Sequence, residues 1–270
     1  MSEAHRAKPR HLDAEYAAQF QDEEVAAAYR LRPPYPPETF VILDSLLGSR
    51  PRIVLELGAG TGDMTVGLAP LVDRLIAVEP SSPMLRRGVR RTAHHAHVDW
   101  LAVAAEDYTY DRRYTAAVAA EAFHWLDWRR VLARVAAGLI APGHLVLVER
   151  KVAPVPWDEE LRRLIRDYST NQDYVAYDLG AELESRSLLA VAGRTETQTI
   201  THRQTIEDYV ESFHSRNGFS RARLTAARAQ AFDDQLETLV RRCCAGDIVQ
   251  LPIRARITWG RPVVVSNRDG

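Results

Sequence analysis

A short stretch rich in glycine is the clearest chemical signal in the sequence. Residues 55–63 read Leu-Glu-Leu-Gly-Ala-Gly-Thr-Gly-Asp, between an apolar run and a helical pattern. Glycines at such a point let the backbone turn tightly and approach a ligand, because they carry no Cβ. The free amides at the start of the helix offer hydrogen-bond donors to that ligand. The stretch predicts a ligand site, although a tight turn without a ligand would use the same residues.

Glu79 ends the next apolar run along the chain. A carboxylate at the end of a neighbouring strand can accept hydrogen bonds from both hydroxyls of a ribose, because its two oxygens lie side by side. An exposed acid at a strand end is the ordinary alternative. Together with the glycine stretch, Glu79 favours a ligand that contains an adenosyl group.

A nicotinamide dinucleotide is the natural rival ligand. Its fingerprint spaces the glycines as G-x-G-x-x-G. Gly58, Gly60 and Gly62 instead follow G-x-G-x-G, so the spacing between the second and third glycines is too short. The spacing therefore disfavours a dinucleotide enzyme.

A histidine cluster offers a different chemistry. His94, His95 and His97 could ligate a metal, but no carboxylate or cysteine stands at a suitable spacing. We therefore expect a solvated turn at these residues and no metal site.

Alternating strands and helices must position the ligand-binding residues. Apolar runs predict strands at residues 53–57, 74–79, 98–103, 115–120 and 144–149, and amphipathic patterns predict helices at 82–91 and 127–139. Strands that alternate with helices form a parallel sheet. Ligands bind such a sheet at the carboxyl ends of its strands, where the glycine stretch and Glu79 would lie.

The flanking segments depart from this alternation. Residues 12–30 are predicted to be helical, and the prolines of residues 33–37 end that helix. The charged residues 154–191 read as a helical insertion. Two late strands, at residues 195–203 and 253–259, could close the sheet in antiparallel fashion, with two helices between them.

Composition restricts the class of protein. The chain has 270 residues, with 35 basic and 36 acidic side chains and a formal charge of -1. These values fit one large α/β domain, and they disfavour nucleic acid as a partner, because nucleic-acid binders usually carry a basic surplus. The sequence shows no apolar leader and no membrane-spanning run, so we expect a cytoplasmic protein without a membrane partner. The many alanines and arginines suggest a bacterial source.

Several segments together resemble the class I S-adenosylmethionine-dependent methyltransferases. Residues 54–65 (VLELGAGTGDMT) are similar to that family's first motif, and residues 74–85 (RLIAVEPSSPML) to its second. Residues 103–107 resemble its third segment. Residues 119–125, which contain Ala-Phe-His-Trp, resemble a small-molecule subgroup that includes trans-aconitate-type enzymes, and residues 29–36 are similar to that subgroup's Y…RPxYP sequence. The resemblance covers residues 20–150 well and residues 195–260 loosely.

The resemblance implies S-adenosylmethionine as cofactor, S-adenosylhomocysteine as product, and a set of binding residues. Glu79 would hold the ribose, and Met84 would lie beside the adenine. The implied cofactor-binding residues are Tyr29, Arg32, Glu56, Gly58, Ala59, Gly60, Gly62, Glu79, Pro80, Met84, Ala105, Glu106 and Glu121. Phe123 and Trp125 would line the acceptor site, or else pack a helix against the sheet.

Two positions depart from the family's pattern. Tyr114 and Thr115 stand where the family often has Phe-Asp, and Glu121 stands where the subgroup often has Gln. Glu121 could place an extra negative charge near the sulfonium or the acceptor, so the charge of the substrate stays open.

The implied fold is a Rossmann-like α/β fold with a seven-stranded, mostly parallel sheet and helices on both faces. Residues 1–40 would form a helical segment over the cofactor. Residues 41–151 and 194–264 would form the core, and residues 152–193 a helical cap on the substrate side.

The expected reaction is transfer of a methyl group to a small-molecule metabolite, by O-methylation of a carboxylate or hydroxyl. Transfer needs an in-line nucleophile within about 3 to 3.5 Å of the methyl carbon. His124, just past the fourth strand, is the candidate catalytic base, and Glu121 could orient it; His124 could also serve only to position the substrate. The alternatives are N- or C-methylation, or a protein that binds S-adenosylmethionine without transferring its methyl group.

Overall fold

The strand and helix pattern of the sequence forms one twisted sheet with helices on both faces, as described for residues 8–264 in a computed structural model. The strands are β1 (Ile53–Leu57), β2 (Arg74–Val78), β3 (Val98–Leu101), β4 (Tyr114–Ala120), β5 (Leu139–Val152), β6 (Leu189–Glu196), β7 (Ile200–Thr205) and β8 (Ile248–Pro262). The sheet order is β3-β2-β1-β4-β5-β8-β6, and β7 also pairs with β8. The neighbours from β3 to β5 are parallel, and β8 is antiparallel to β5, β6 and β7.

The helices are α1 (Ala14–Ala17), α2 (Glu23–Ala28), α3 (Glu38–Leu46), α4 (Asp63–Leu68), α5 (Ser82–Arg91), α6 (Trp128–Gly138), α7 (Asp158–Tyr168), α8 (Leu179–Ser185), α9 (Ile206–Ser212) and α10 (Ala226–Arg241). Several begin at a residue whose side chain caps the helix. Ser81 and Asp127, for example, accept hydrogen bonds from the backbone N–H groups of Met84 and Arg130.

The described sheet has eight strands, against seven predicted. The difference arises because β6 and β7 pair with successive parts of β8, so that together they occupy one position at the edge of the sheet. Residues 197–199 separate them. Thr197 donates its backbone N–H to the carbonyl of Ala255, and its hydroxyl accepts the backbone N–H of Ala255, both at 2.9 Å. The hydroxyl thus satisfies an amide where the regular strand is interrupted.

The segment before β1 is less regular than the sequence predicts. The expected helix over residues 12–30 is divided into α1, α2 and short 3-10 turns, because Asp22 has an extended backbone (φ -75°, ψ 131°) between them. The prediction for residues 1–40 also includes residues 1–7, which lie outside the described residues. The remaining part folds beside the carboxyl ends of β1 and β2, where the hydroxyl of Ser81 donates to the carbonyl of Phe20 at 2.6 Å.

The core lies on both faces of the sheet. Along β1, Val54 packs with Leu43 and Leu68 on one face, whereas Leu55 packs with Leu132 on the other. Successive residues of a strand point to opposite faces, so a strand buried on both sides is apolar throughout. This explains why β1 is apolar on both faces except at Glu56, and why its sequence predicts a buried strand.

A separate apolar cluster joins α7 to α9, α10 and the first part of β8. Trp157 and Leu161 pack there with Phe213, Phe232 and Leu251. Helix α7, in the charged segment at residues 154–191, therefore shares a core with elements that follow much later in the chain.

Candidate active site

The glycine stretch forms a tight turn between β1 and α4. Gly58, Gly60 and Gly62 have φ angles of 66°, 58° and 83°, in the left-handed region that favours glycine. A Cβ on Gly58 would lie 2.7 Å from the Cβ of Ala122, so the turns after β1 and β4 approach each other closely. A Cβ on Gly60 would meet no protein atom nearer than the sulfur of Met84 at 3.9 Å. The space in front of Gly60 is therefore open to a ligand.

Glu79 joins the turns that follow β1 and β2. One carboxylate oxygen accepts the backbone N–H of Gly60 at 2.8 Å, and the other accepts the backbone N–H of Ser81 at 2.7 Å. Burial raises the pKa of this carboxyl. Each oxygen keeps a further lone pair, so the side chain can accept additional hydrogen bonds from a ligand.

A first cavity of about 430 Å³ lies along this turn. Ten of the predicted site residues line it: Tyr29, Glu56, Gly58, Ala59, Gly60, Glu79, Pro80, Met84, Glu121 and Trp125. Phe20, Tyr35 and Arg150 also line it and were not predicted. The fold thus gathers most of the predicted cofactor residues around one space.

Four predicted cofactor residues lie elsewhere. Gly62 faces away from the cavity, since a Cβ there would meet the Cα of Gly88 at 3.3 Å. Ala105 is buried and lines neither of the two larger cavities, and the carboxylate of Glu106 accepts the backbone N–H of Asp127 at 2.7 Å. Arg32 lines a second cavity instead of the first. These four residues therefore do not line the first cavity.

Glu56 is a buried carboxyl at the floor of the first cavity. Burial raises its pKa to about 8, and its Oε2 atom has no hydrogen-bond partner among the described residues. At neutral pH the group is therefore mainly protonated and can donate a hydrogen bond as well as accept one.

A second cavity, of about 410 Å³, adjoins the first. The two share lining residues, namely Phe20, Tyr29, Glu121, Ala122, Trp125 and Arg150. Predicted residues on the wall of the second cavity are Arg32, Phe123, His124 and Trp125. Five residues that were not predicted also line it, namely His11, Lys151, Tyr177, Arg216 and Asn217. A ligand in one cavity can therefore contact a ligand in the other near Glu121 and Trp125.

Glu121 lies at the junction of the two cavities with a strained backbone. Its φ is 54°, which a non-glycine residue rarely adopts and which costs of order 1–3 kcal/mol. Its carboxylate accepts the backbone N–H of Arg150 on β5. The neighbouring strand thus fixes the acid between the cavities.

His124 lies on a 3-10 turn that follows β4, half-buried in the wall of the second cavity. Burial, together with the nearby charges of Lys8 and Arg32, lowers the pKa of the imidazole to about 3. The ring is therefore neutral at physiological pH and weakly basic. Within residues 8–264, no hydrogen bond joins it to Glu121, whose carboxylate is directed to Arg150.

Three arginines bring positive charge to the second cavity. Arg32 donates to the hydroxyl of Ser215 at 2.8 Å, and Arg150 donates to the carbonyl of Pro33. Arg216 lies over the ring of Phe213, with its Cζ 3.8 Å from the ring centroid. Arg150 could have been found from sequence, because it follows the apolar run of the fifth strand at the carboxyl edge. Arg216 carries no such signal, because it lies between two helices remote in sequence from the sheet motifs.

No helix in the described part of the chain combines the length and apolarity needed to cross a membrane. No group of three or more side chains of the types that ligate metals is gathered in this part of the chain. The ring centroids of His94 and His95 lie 4.1 Å apart, and Nε2 of His97 forms a hydrogen bond with the carbonyl of Ala69 at 2.8 Å.

Comparison with known proteins identifies the type of domain. Residues 54–143 match the family described as "Methyltransferase domain". Uncharacterized methyltransferases of Mycobacterium tuberculosis and Mycobacterium bovis are each 38% identical over 153 residues, which is 56% of this chain and 61% of the relative. The chain thus matches about three fifths of the length of these curated relatives.

Solved structures share the fold. A protein from Anaeromyxobacter dehalogenans, solved as a candidate type II methyltransferase, has a TM-score of 0.63 and 23% identity, covering 85% of this chain and 97% of its own. A methyltransferase from Thiobacillus denitrificans, solved with S-adenosyl-L-homocysteine, has a TM-score of 0.52 and 16% identity, covering 88% and 97%. Residues 54–143 therefore match a methyltransferase domain, and the chain shares its fold with proteins solved as methyltransferases, one of them in complex with S-adenosyl-L-homocysteine.

Proposed function

We propose that the chain transfers the methyl group of S-adenosylmethionine to a small molecule, by O-methylation of a carboxylate or hydroxyl. The carrying observation is the pair of adjoining cavities, which meet at Glu121 and Trp125. A methyl donor and an acceptor must lie in contact and in line for transfer, and two connected spaces supply that arrangement.

The first cavity would hold the cofactor. Glu79 would accept hydrogen bonds from the ribose hydroxyls while it holds the glycine turn, and Met84 would lie beside the adenine. The amide groups of the turn at Gly58 and Gly60 would face the cofactor, and Glu121 would lie toward its methionine part. The residues present fit the group, because the turn is open where the cofactor needs close backbone approach.

The second cavity would hold the acceptor against Phe123, His124 and Trp125. A carboxylic acid is already ionised at neutral pH, so its oxygen needs no base to act as a nucleophile. The low pKa of His124 makes it a poor general base, since a base works best with a pKa near the operating pH. We therefore assign His124 the positioning of the acceptor through a neutral ring nitrogen, and this favours a carboxylate as the reacting group.

Incubation with labelled S-adenosylmethionine tests the proposal. The full chain is mixed with a panel of small carboxylic acids, phenols and amines, and the label is followed into products, with boiled protein as control. We expect label in the methyl esters of one or more acids. If the protein binds S-adenosylhomocysteine but labels no acceptor in this panel or in a metabolite extract, the proposal fails. Label on amines or carbon would replace O-methylation by N- or C-methylation.

A further inference from the structure

Arg216 is a charged side chain without a charged partner. It lines the second cavity, on the segment between α9 and α10. One face of the guanidinium covers Phe213. No carboxylate lies within ion-pair distance of it in the part of the chain that the structure describes. An enclosed charge without a counter-ion is costly, so its presence needs an explanation.

The charges near Arg216 increase this cost. Burial, together with the nearby cations Arg32 and Arg150, lowers the pKa of Arg216 to about 10. The acids of the same cavity are engaged elsewhere. Glu149 pairs with Lys151 at 2.8 Å, and Glu121 accepts the backbone N–H of Arg150. The cavity therefore holds an excess of positive charge beside Arg216.

Hydrogen bonds made by adjacent residues fix the position of Arg216. His214, almost fully buried, contacts the carbonyl of Phe219 and the carboxylate of Asp233 through its two ring nitrogens, both at 2.8 Å. Ser215 accepts hydrogen bonds from Arg32 through both its hydroxyl and its carbonyl. The segment that carries Arg216 is thus fixed on both sides, and it brings Arg32 to the same wall.

We propose that Arg216, with Arg32 beside it, binds an anionic group of the methyl acceptor, separate from the atom that is methylated. Arg216 lines the second cavity and not the first, whereas Glu121 lines both. The anionic group therefore lies away from the cofactor, and the reacting atom lies near Glu121. The acceptor is a bifunctional small molecule, a carboxylate or phosphate that also carries the group to be methylated. This inference rests on the proposed function, because it takes the second cavity as the acceptor site.

Binding without turnover tests the inference. Calorimetric titrations use the full chain saturated with S-adenosylhomocysteine. The probes are glutarate, 4-hydroxyphenylacetate and phenyl phosphate, and the neutral control probe is 4-hydroxyphenylacetamide. The variants are Arg216→Gln, Arg216→Lys and the matched control Arg166→Gln, since Arg166 is exposed and lines neither of these two cavities. The unfolding temperature is measured for Arg216→Met, which keeps an apolar stem and removes the charge.

We expect the native protein to bind at least one anionic probe in preference to the amide. Arg216→Gln should weaken that binding about ten- to a hundredfold, and Arg216→Lys should weaken it less, because charged hydrogen bonds are lost in the first and partly kept in the second. Arg166→Gln should have no effect, and the affinity for S-adenosylhomocysteine should stay within about twofold in all variants. Arg216→Met should unfold at a temperature no lower than that of the native protein.

Three results would overturn the inference. They are the failure of every anionic probe to bind the native protein, equal binding of the acid and its amide, and undiminished binding by Arg216→Gln. Preference among the three anions distinguishes carboxylate from phosphate. Methyl transfer only to the hydroxyl groups of uncharged acceptors would contradict this inference and leave the proposed function intact. Binding of anions through Arg216 without any methyl transfer would do the reverse.

Discussion

Replacing Glu79 with alanine tests the link between the glycine turn and the cofactor. The carboxylate accepts the backbone N–H groups of Gly60 and Ser81, at 2.8 and 2.7 Å, and has lone pairs left for a ribose. Hydrogen bonds to a charged group contribute about 1.5–3 kcal/mol, which corresponds to a roughly 10- to 150-fold higher Kd for S-adenosylhomocysteine. Stability should also fall by about 1–3 kcal/mol, because two backbone amides lose their acceptor.

Isothermal titration calorimetry with S-adenosylhomocysteine and its 2′-deoxy analogue measures this effect. The native protein should discriminate between the two ligands, and Glu79→Ala should not, because the partner of the hydroxyl is gone. Glu24→Ala, which removes an exposed acid outside both cavities, is the matched control and should behave as the native protein. If Glu79→Ala keeps the full discrimination, the ribose hydroxyl does not contact Glu79, and the carboxylate serves the turn alone.

The pH dependence gives a second measure of the same contact. Burial raises the pKa of Glu79, so the carboxylate becomes protonated at a higher pH than an exposed glutamate would. The protonated group has lost acceptor capacity. The affinity for S-adenosylhomocysteine should therefore fall as the pH decreases through that raised pKa, and the Glu79→Ala variant should lack this fall.

Three further variants test neighbouring parts of the site. Gly60→Val should abolish binding of S-adenosylhomocysteine in calorimetry, because the added side chain would enter the open space near Met84 and valine would have to adopt the backbone φ of 58°. Retained affinity would show that the turn does not face the ligand. His124→Gln should raise the acceptor KM by about tenfold and leave the pH–rate profile above pH 5 unchanged, because the pKa of His124 is about 3. If the variant instead loses an acidic limb of that profile and its kcat falls by about 10²-fold, His124 is the general base. The pKa of Glu56 is raised to about 8, so the free energy of unfolding should decrease as the pH rises from about 4.5 to 8. In denaturant titrations, Glu56→Gln should flatten the dependence of the unfolding free energy on pH over this range. An unchanged pH dependence in the variant would show that Glu56 does not cause it.

The turn that lines the first cavity was largely predictable because its signals are local. A glycine turn directly after an apolar run, and an acid at the end of the next run, specify their own backbone geometry within a few residues. The strand β1 and the helix α5 have the predicted bounds, Ile53–Leu57 and Ser82–Arg91. Even so, Gly62 serves to let α5 and β3 approach the turn, since a Cβ there would also lie 3.4 Å from the ring of Trp100.

The second cavity was poorly predictable because its parts come from distant segments. His11, Lys151 and Arg216 meet in one cavity only after the N-terminal segment, β5 and the turn following α9 have packed together. Helix α7 was predicted as part of a helical cap on the substrate side, and the sequence did not show that it packs against α9 and α10. Amphipathic patterns show which face of a helix is buried, but they do not name the element that covers it.

The sequence by itself determined the parallel sheet and the turn at its carboxyl edge, because backbone conformation and hydrophobic periodicity are encoded by adjacent residues. Only the tertiary structure decided the charge of the second cavity and the protonation of its groups. His124 is a plausible base from its position in the sequence. Its pKa is nevertheless lowered, because the side chain is buried and the cations Lys8 and Arg32 lie nearby. Desolvation and long-range charge depend on which distant residues pack together, and no local pattern carries that information.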